Sequence, residues 1–543
     1  VRKIAVIDAE TDPAKHGRVP APFIWGYYDG ETYEQFYSTN DLMMFLYPRD
    51  EIIYAHNGGK FDYHFLFDYI EPFSEVMVIS GRLSKFTIGE CEFRDSINIL
   101  PTALSAFSKD EFNYKLMEKG EREKPHNKKQ IETYLYSDCV NLFNYVTGFI
   151  DRFGLNLTVA GTAFKQWQMI SEREPPSDFK GELYEALSDY YYGGRCEAFE
   201  TGIIDEDLQL VDINSAYPYA MLSEHPFSTE YIEVNHKQWI ALSEHEKGPT
   251  LITVRCVSVG ALPYRSKTGD LFFPADKIIR EFKCTGWELL SAIKTGHITG
   301  YKIIKGFIFD ELIDFKDYIL KFYKERLTAK ELSDTLGNIL SKLMMNGLYG
   351  KFASNPDQYN NYMIIEPGLL DETGVYHDEA HDKMWEFSGV VGSNALVSEG
   401  LEDYEKQFYN IATAASITGY VRAYMWESMN ACEGVAYCDT DSITCRKIGD
   451  LPNGIGKELG QWDVEGNFTG GAIAGKKLYA FKYADKEGYK TASKGVRLEA
   501  KEIIKVAKGG EVTYKPEFPT FSMHKGPRFT NRAIKMTKKV LQD

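Results

Sequence analysis

The chain has 543 residues, a formal net charge of −17 at pH 7 and 43% apolar residues. That length exceeds one ordinary domain and leads to an expectation of roughly three to five packed units. No apolar stretch approaches the ~20 residues needed to cross a bilayer, and the eight scattered cysteines contain no C-x-x-C pair, which excludes a zinc ribbon and a disulfide framework. No membrane partner and a cytoplasmic setting are expected.

The opening KIAVIDAET reads as an apolar strand ending in Asp8 and Glu10. Side chains at i and i+2 share a strand face, so both acids can point at one metal pair. YAHNGGKFDYHFL then brings Asn57 and Asp62 after a second buried strand, with Gly58 and Gly59 permitting a tight turn. TYLYSDCVNL has a helical pattern, and Tyr134 and Asp138 lie four apart on one face. Charge and proline accumulate in EREKPHNKK and in SEREPPSDFKGE, marking linkers. Between the second of these and the next buried strand lies YYYGGRCEAF. Gly193 and Gly194 allow close backbone approach to a phosphate, while the tyrosines and Arg195 suit single-stranded or primer-template nucleic acid.

LQLVDINSAYPYAM places Asp212 where a buried strand meets a turn, followed by Tyr217 and Pro218. KLMMNGLYGKF reads as a helix that aligns Lys342, Asn346 and Tyr349 on one face, an ammonium for triphosphate oxygens and an aromatic plate for a base or sugar. VAYCDTDSITC reads as a hairpin with Asp439 and Asp441 two apart. Two acids so close repel each other unless a cation bridges them. A polar turn is the alternative reading for this pair taken alone. An oxygen-only site favours Mg²⁺ or Mn²⁺ over Zn²⁺, and such sites serve phosphoryl transfer. In GKKLYAF, Lys477 and Tyr479 are two apart on an expected strand, cation and ring on one face.

DINSAYP, KLMMNGLYG and YCDTDS resemble, in family order, the three polymerase motifs of the B-family (α-like) DNA polymerases. Gly347 stands where that family usually has Ser, and Ala216 where Leu is common. The resemblance implies that Asp212 and Asp441, with Ile213 beside them, hold two Mg²⁺ (or Mn²⁺) ions about 4 Å apart, with Asp439 a third, more weakly bound or outer acid. It implies that Lys342 holds the triphosphate and that Tyr217 packs under the sugar. Tyr349 and Asn346 would line the nucleotide pocket, and Lys330 is a second phosphate contact. Tyr191, Gly193 and Gly194 resemble the family's YxGG motif, and Lys477 with Tyr479 its KxY motif at the primer terminus. At the amino end, Asp8, Glu10, Asp62, Asp138 and Tyr134 resemble the DEDDy 3′–5′ exonuclease domain, in which four acids bind two metals and the phenol orients a water. Thr11, Asn57 and Phe61 are the expected contacts to a frayed 3′ end, Phe61 by stacking, although a core aromatic is an equal reading of it.

The intervals between motifs are long, about 130 residues from Asp212 to Lys342 and nearly 90 from Tyr349 to Tyr437. Insertions of that length form subdomains of their own. The layout resembles the protein-primed branch of the family, which starts synthesis on a terminal protein's hydroxyl; there the first insertion contacts that protein and the second encircles DNA. The expected fold is α/β and α+β multidomain, an RNase H-like exonuclease followed by a right-hand polymerase. Its expected divisions are exonuclease 1–160, palm 161–223, first insertion 224–317, fingers 318–353, second insertion 354–410, palm 411–490 and thumb 491–543. Expected partners are primer-template DNA, dNTPs and a terminal protein, with the chain a monomer in the cytoplasm, that of the host if it is viral. The alternative is a nuclease or replisome scaffold whose polymerase half only binds DNA. An acidic DNA-binding chain is unusual, because phosphates favour basic surfaces. The region from Lys494 onward, however, holds 12 Lys or Arg against 5 Asp or Glu and is the expected duplex clamp.

Overall fold

The computed structural model describes residues 2–106, 112–173, 181–354, 360–400, 409–523 and 526–537. The strand Lys3–Thr11 has Ala5, Val6 and Ile7 fully buried, as a strand covered on both faces must. It pairs in parallel with Glu51–Ala55, itself parallel to Cys91–Asp95, and antiparallel with Pro22–Tyr28. The helix Pro125–Phe153 lies against this sheet. Its buried residues Ile131, Leu135, Cys139, Leu142, Val146 and Phe149 recur every three or four positions, and Pro125 starts it where a missing N–H costs nothing. Gly26 on the second strand lets it approach: a Cβ there would lie 2.7 Å from Cys139 Sγ.

The same sheet runs on into residues 360–400. The strand Asn360–Ile365 pairs with Glu75–Ile79, opposing Tyr362 to Val76, and three further strands complete eleven. Ile364, Val391 and Leu396 pack into the same apolar cluster as Ile7, Leu66 and Phe67. Residues 360–400 are therefore sewn to the amino-terminal unit and cover what would otherwise be an open sheet edge.

A second, antiparallel sheet has Leu208–Ile213 at its centre, between Ser442–Lys447 and Trp462–Gly475. The hairpin partner Glu433–Asp439 follows directly from the long buried helix Ile411–Ala431. Two helices, Lys316–Glu331 and Thr335–Phe352, form an antiparallel pair; the Asp334 carboxylate caps the second by accepting from Gly337 N at 2.9 Å. A four-stranded sheet of Tyr231–Val234, Ile298–Phe309, Leu251–Ser258 and Ile279–Thr285 fills the interval before them. The carboxy end carries the helix Ala500–Ala507 and two short antiparallel strand pairs, Thr520–Ser522 with Gly526–Arg528 nested between Val512–Tyr514 and Arg532–Ile534. It returns to the amino-terminal unit, where Met523 is buried and its carbonyl accepts from Val390 N. The basic segment HKGPRFTNRAIKMTKKV lies partly outside the described residues.

Gly347 is explained by packing. The helix Thr335–Phe352 lies against Val159–Ser171 so closely that a Cβ at 347 would sit 2.7 Å from Val159 Cγ1 and 3.3 Å from Ala163 Cβ. Gly347→Ser gains a few tenths of a kcal/mol of helix propensity but overfills this contact, so a net loss of about 1–2 kcal/mol is expected. A lower urea midpoint at unchanged slope measures it; an unchanged or higher midpoint contradicts the packing account.

Candidate active sites

In the central sheet, Asp212 lies opposite Ser442 on one side and Asp463 on the other, near the end of its strand. The turn carrying the paired acids is held by its backbone. Asp441 N donates to Asp439 O at 2.6 Å, and Thr440 sits between them at φ 54°. Ile213 N donates to Asp441 O at 2.8 Å, which ties the strand bearing Asp212 to that turn, while the Ile213 side chain is buried. Burial first, then the Asp441 and Glu465 charges, push Asp212 up to about 7. Burial likewise raises Asp441 to about 6, with Asp439 adding to the shift.

Asp439 is placed differently. Both its oxygens meet Lys477 Nζ, at 2.6 and 2.5 Å. Lys477 is not on a strand sharing a face with Tyr479, as its spacing led us to expect. It occupies the turn before the strand Leu478–Tyr483, at φ 55°, with its N–H donating to Tyr437 Oη at 2.9 Å. The tight reversal turns its side chain back onto the acid. Tyr479 is on the strand and stacks on Phe481, centroids 4.5 Å apart. Sequence reasoning passed over Glu465, whose charge raises both Asp212 and Asp441 and which is ion-paired with Lys490. Asp463 and Glu465 have the same i, i+2 spacing as Asp439 and Asp441, the signal that was available.

Facing these acids are cations. Lys342 is exposed, and its charge draws Asp212 downward against the other influences. Lys330 is held below the ordinary lysine range by partial burial and then by Arg326, Lys342 and Lys457. Arg326 is a further cation the sequence reading did not single out, although its i, i+4 spacing to Lys330 was available. Its Nη1 donates to Ser215 Oγ at 3.2 Å and its Nε to Asn338 Oδ1 at 3.2 Å. Tyr217 and Tyr349 stack with centroids 4.1 Å apart and planes at 19°, and Tyr191 lies near enough to raise both phenols. Asn346 turns back onto its own helix, donating from Nδ2 to Lys342 O at 2.9 Å. Gly193 has open space where a Cβ would stand, whereas a Cβ at Gly194 would lie 2.7 Å from Thr440 Cγ2. Arg195, read from the sequence as suited to nucleic acid, is turned inward and ion-paired with Glu197 instead.

In the amino-terminal unit, carboxylate oxygens of Asp8, Glu10 and Asp138 all lie within 4.8 Å of one another, brought together by one strand and one helix. No second trio this tight occurs among the described residues. Burial is the first cause holding Asp8 and Glu10 far above the usual carboxylate range, and neighbouring acids add to it. Asp62 is buried and pushed up to about 7, mainly by desolvation, and its Oδ1 has no hydrogen-bond partner among the described residues. Tyr134 stacks on Phe112 with centroids 4.4 Å apart, and its hydroxyl lies 3.1 Å from that of Tyr114. Desolvation raises this phenol, so it stays protonated at neutral pH. Asn57 adopts φ 58° and its Oδ1 accepts from Arg82 Nη1 at 3.0 Å. Phe61 stands edge-on to Phe65, Phe521 and Phe518, of which Phe518 is 47% exposed. Thr11 is buried, its hydroxyl donating to Asp12 O at 3.2 Å.

The family model for DNA polymerase type B, organellar and viral, matches residues 108–433. The DNA-directed DNA polymerase of Enterobacteria phage PRD1 is 37% identical over 579 aligned positions, covering 98% of each chain. A probable DNA polymerase of Agaricus bitorquis is 23% identical, covering 80% of this chain and 64% of its own length. Among solved structures, phi29 DNA polymerase complexed with primer-template DNA and incoming nucleotide substrates is similar in fold. It covers 99% of this chain and 100% of its own, with a TM-score of 0.73 at 18% identity. The multidomain fold expected from the sequence, an α/β unit followed by a polymerase hand, is the fold observed.

The raised carboxylates have a pH signature. Asp212 has a folded pKa of about 7 against 3.8 in the unfolded chain, so between those values the folded state binds more protons and its stability falls as pH rises. Buried His56, His64 and His225, each lowered to about 4, act in the opposite sense over the same range, so a variant difference is the clean measurement. With chelator present, Asp212→Asn is expected to stabilise the protein by about 1–2 kcal/mol at pH 8, a figure discounted for partial solvent screening. The gain should vanish near pH 4 and shrink when Mg²⁺ is added at pH 8. A gain that persists at low pH would refute the assignment.

Proposed function

The chain belongs to the organellar and viral type B DNA polymerases, and from that premise we propose a protein-primed replicative enzyme with its own proofreading. It would add dNMP to a primer 3′-hydroxyl, or to a terminal protein's hydroxyl, in copying a linear genome. The observation that carries this reading is the pair Asp212 and Asp441, both raised by burial, with Lys342 close enough to act on Asp212 and Arg326 and Lys342 close enough to act on Lys330. Acids so placed are stabilised by divalent cations, and cations so placed by a triphosphate.

Asp212 and Asp441, with Ile213 beside them, would hold Mg²⁺ or Mn²⁺, two ions to the site. When bound, such ions make the attacking hydroxyl more acidic and neutralise the departing pyrophosphate. Asp439, neutralised by Lys477, acts from outside that pair. Lys342, Lys330 and Arg326 bind and orient the triphosphate. The stacked Tyr217 and Tyr349 form a wall on which the nucleotide sugar rests and which leaves no room for a 2′-hydroxyl. Tyr191, Gly193, Gly194 and Tyr479 steady the primer end.

In residues 1–160, Asp8, Glu10, Asp62 and Asp138 would hold a second metal pair for 3′–5′ digestion. The protonated Tyr134 phenol orients the attacking water, while Thr11, Asn57 and Phe61 hold the frayed end. We assign 224–317 to terminal-protein contact, 354–410 to processivity and strand displacement, 318–353 to fingers and 491–543 to a thumb, flanking palm segments 161–223 and 411–490. No described helix is long and apolar enough to cross a membrane. The reading is of a monomer working in host cytoplasm.

Primer extension with dNTPs and Mg²⁺ separates this enzyme from a DNA-binding scaffold. Asp441→Ala should lower extension by on the order of 10³-fold or more, while Asp8→Ala should remove 3′ digestion and leave extension within about twofold. An Asp441→Ala protein that extends primers normally contradicts the polymerase site. For priming, incubation with a candidate terminal protein and a labelled dNTP should yield a covalent protein–nucleotide adduct; no adduct, with primer extension intact, argues for nucleic-acid priming.

A further inference from the structure

Arg195 follows the two glycines of the Tyr191–Gly194 segment yet is buried, with 1% of its surface exposed. Its guanidinium is held from several sides. Nη2 and Nε donate to Glu197 Oε2 at 2.7 and 3.2 Å, and Nη1 donates to Gly260 O at 2.8 Å. The guanidinium carbon lies 3.9 Å from the Phe273 ring centroid and 4.9 Å from that of Trp426. These partners belong to three parts of the chain: the short strand Cys196–Ala198, the unit inserted before the paired helices, and the helix Ile411–Ala431.

The backbone of the same residue reaches the polymerase centre. Arg195 O accepts from Thr440 N at 2.6 Å. Thr440 separates Asp439 from Asp441 and has φ 54°, a conformation that a β-branched residue keeps only when its surroundings hold it. Gly194 leaves the space that the Thr440 side chain occupies. A buried ion pair adds little net stability compared with apolar packing, so general stabilisation does not account for an arginine here.

We propose that Arg195 is a positioning residue of the polymerase centre. Its clamped side chain fixes the carbonyl that holds Thr440, and thereby sets the direction of the Asp439 and Asp441 carboxylates. Gly260 and Phe273 tie that setting to residues 224–317, so a protein bound to the inserted unit has a direct route to the catalytic turn. This rests on assigning Asp441 to the polymerase centre.

The test uses full-length protein carrying Asp8→Ala, so that primers survive and the amino-terminal centre does not dominate metal binding. Arg195→Met, Arg195→Lys and Glu197→Gln are compared with this parent for kcat and KM for dNTP in single-nucleotide extension. Mn²⁺ affinity without DNA or nucleotide is measured from the electron paramagnetic resonance of the free ion. Arg195→Met should lower kcat by about tenfold or more with KM within about twofold, and weaken Mn²⁺ binding by about tenfold. Arg195→Lys should recover part of both, and Glu197→Gln should show smaller changes in the same direction. A lowered melting temperature with parental kcat and Mn²⁺ affinity overturns the proposal. Should Arg195→Met not fold, parental values in Glu197→Gln overturn it equally. Asp441→Ala in the same background separates the two failures: if it extends primers and binds Mn²⁺ like the parent, the site assignment is wrong and not the role of Arg195.

Discussion

Like charges held together out of water are the constraint on which both centres depend. Carboxylate oxygens of Asp8, Glu10 and Asp138 lie within 4.8 Å of one another, and burial is the largest cause of the rise in the first two. Removing a carboxylate from water costs several kcal/mol unless something compensates it. The protein compensates through rigidity of the supports. Asp62 Oδ1 has no hydrogen-bond partner among the described residues, whereas the strand and helix that carry its neighbours are locked by fully buried side chains such as Ile7, Leu135 and Cys139. Local instability of this kind is what a site built for a cation requires.

The second centre solves the same problem with backbone. Asp439, Thr440 and Asp441 form a turn whose N–H and C=O groups are directed at Asp439 O, Ile213 N and Arg195 O. One acid is neutralised in place by Lys477 and the other two are left to face each other. A lysine on one acid leaves less repulsion to be met by bound cations, and makes the three aspartates unequal. In the amino-terminal trio, burial first and neighbouring acids after it raise Asp8 and Glu10 well above the ordinary carboxylate range.

What was legible in the sequence follows from regular geometry. Asp8 with Glu10, Tyr134 with Asp138, and Lys342 with Asn346 and Tyr349 were readable because a strand repeats every two residues and a helix every three or four. Lys477 was misplaced because one left-handed residue breaks that period, and no spacing rule marks where it falls. Glu465 was missed because it sits by a register shift in the pairing with Leu208–Ile213. Arg195 was misread because exposure is the ordinary state of an arginine, and the Phe273, Trp426 and Gly260 that bury it are distant in sequence. The eleven-stranded sheet was unreadable for the same reason: Tyr362 and Val76 pair across nearly three hundred residues, and nothing local announces it.

The net charge of −17 is reconciled with nucleic acid by distance. At physiological ionic strength, exposed charges farther apart than about 8 Å are largely screened from each other, so a phosphate responds to its immediate surroundings and not to the sum over the chain. Where the triphosphate would lie, Lys330 is lowered by partial burial and then by the charges of Arg326, Lys342 and Lys457. The lowered Lys330 is the counterpart of the raised aspartates. Each cluster is unfavourable alone, and a polyanion carrying divalent cations relieves both at once. The acidic surface elsewhere then discourages indiscriminate binding, leaving local clusters to decide where a phosphate rests.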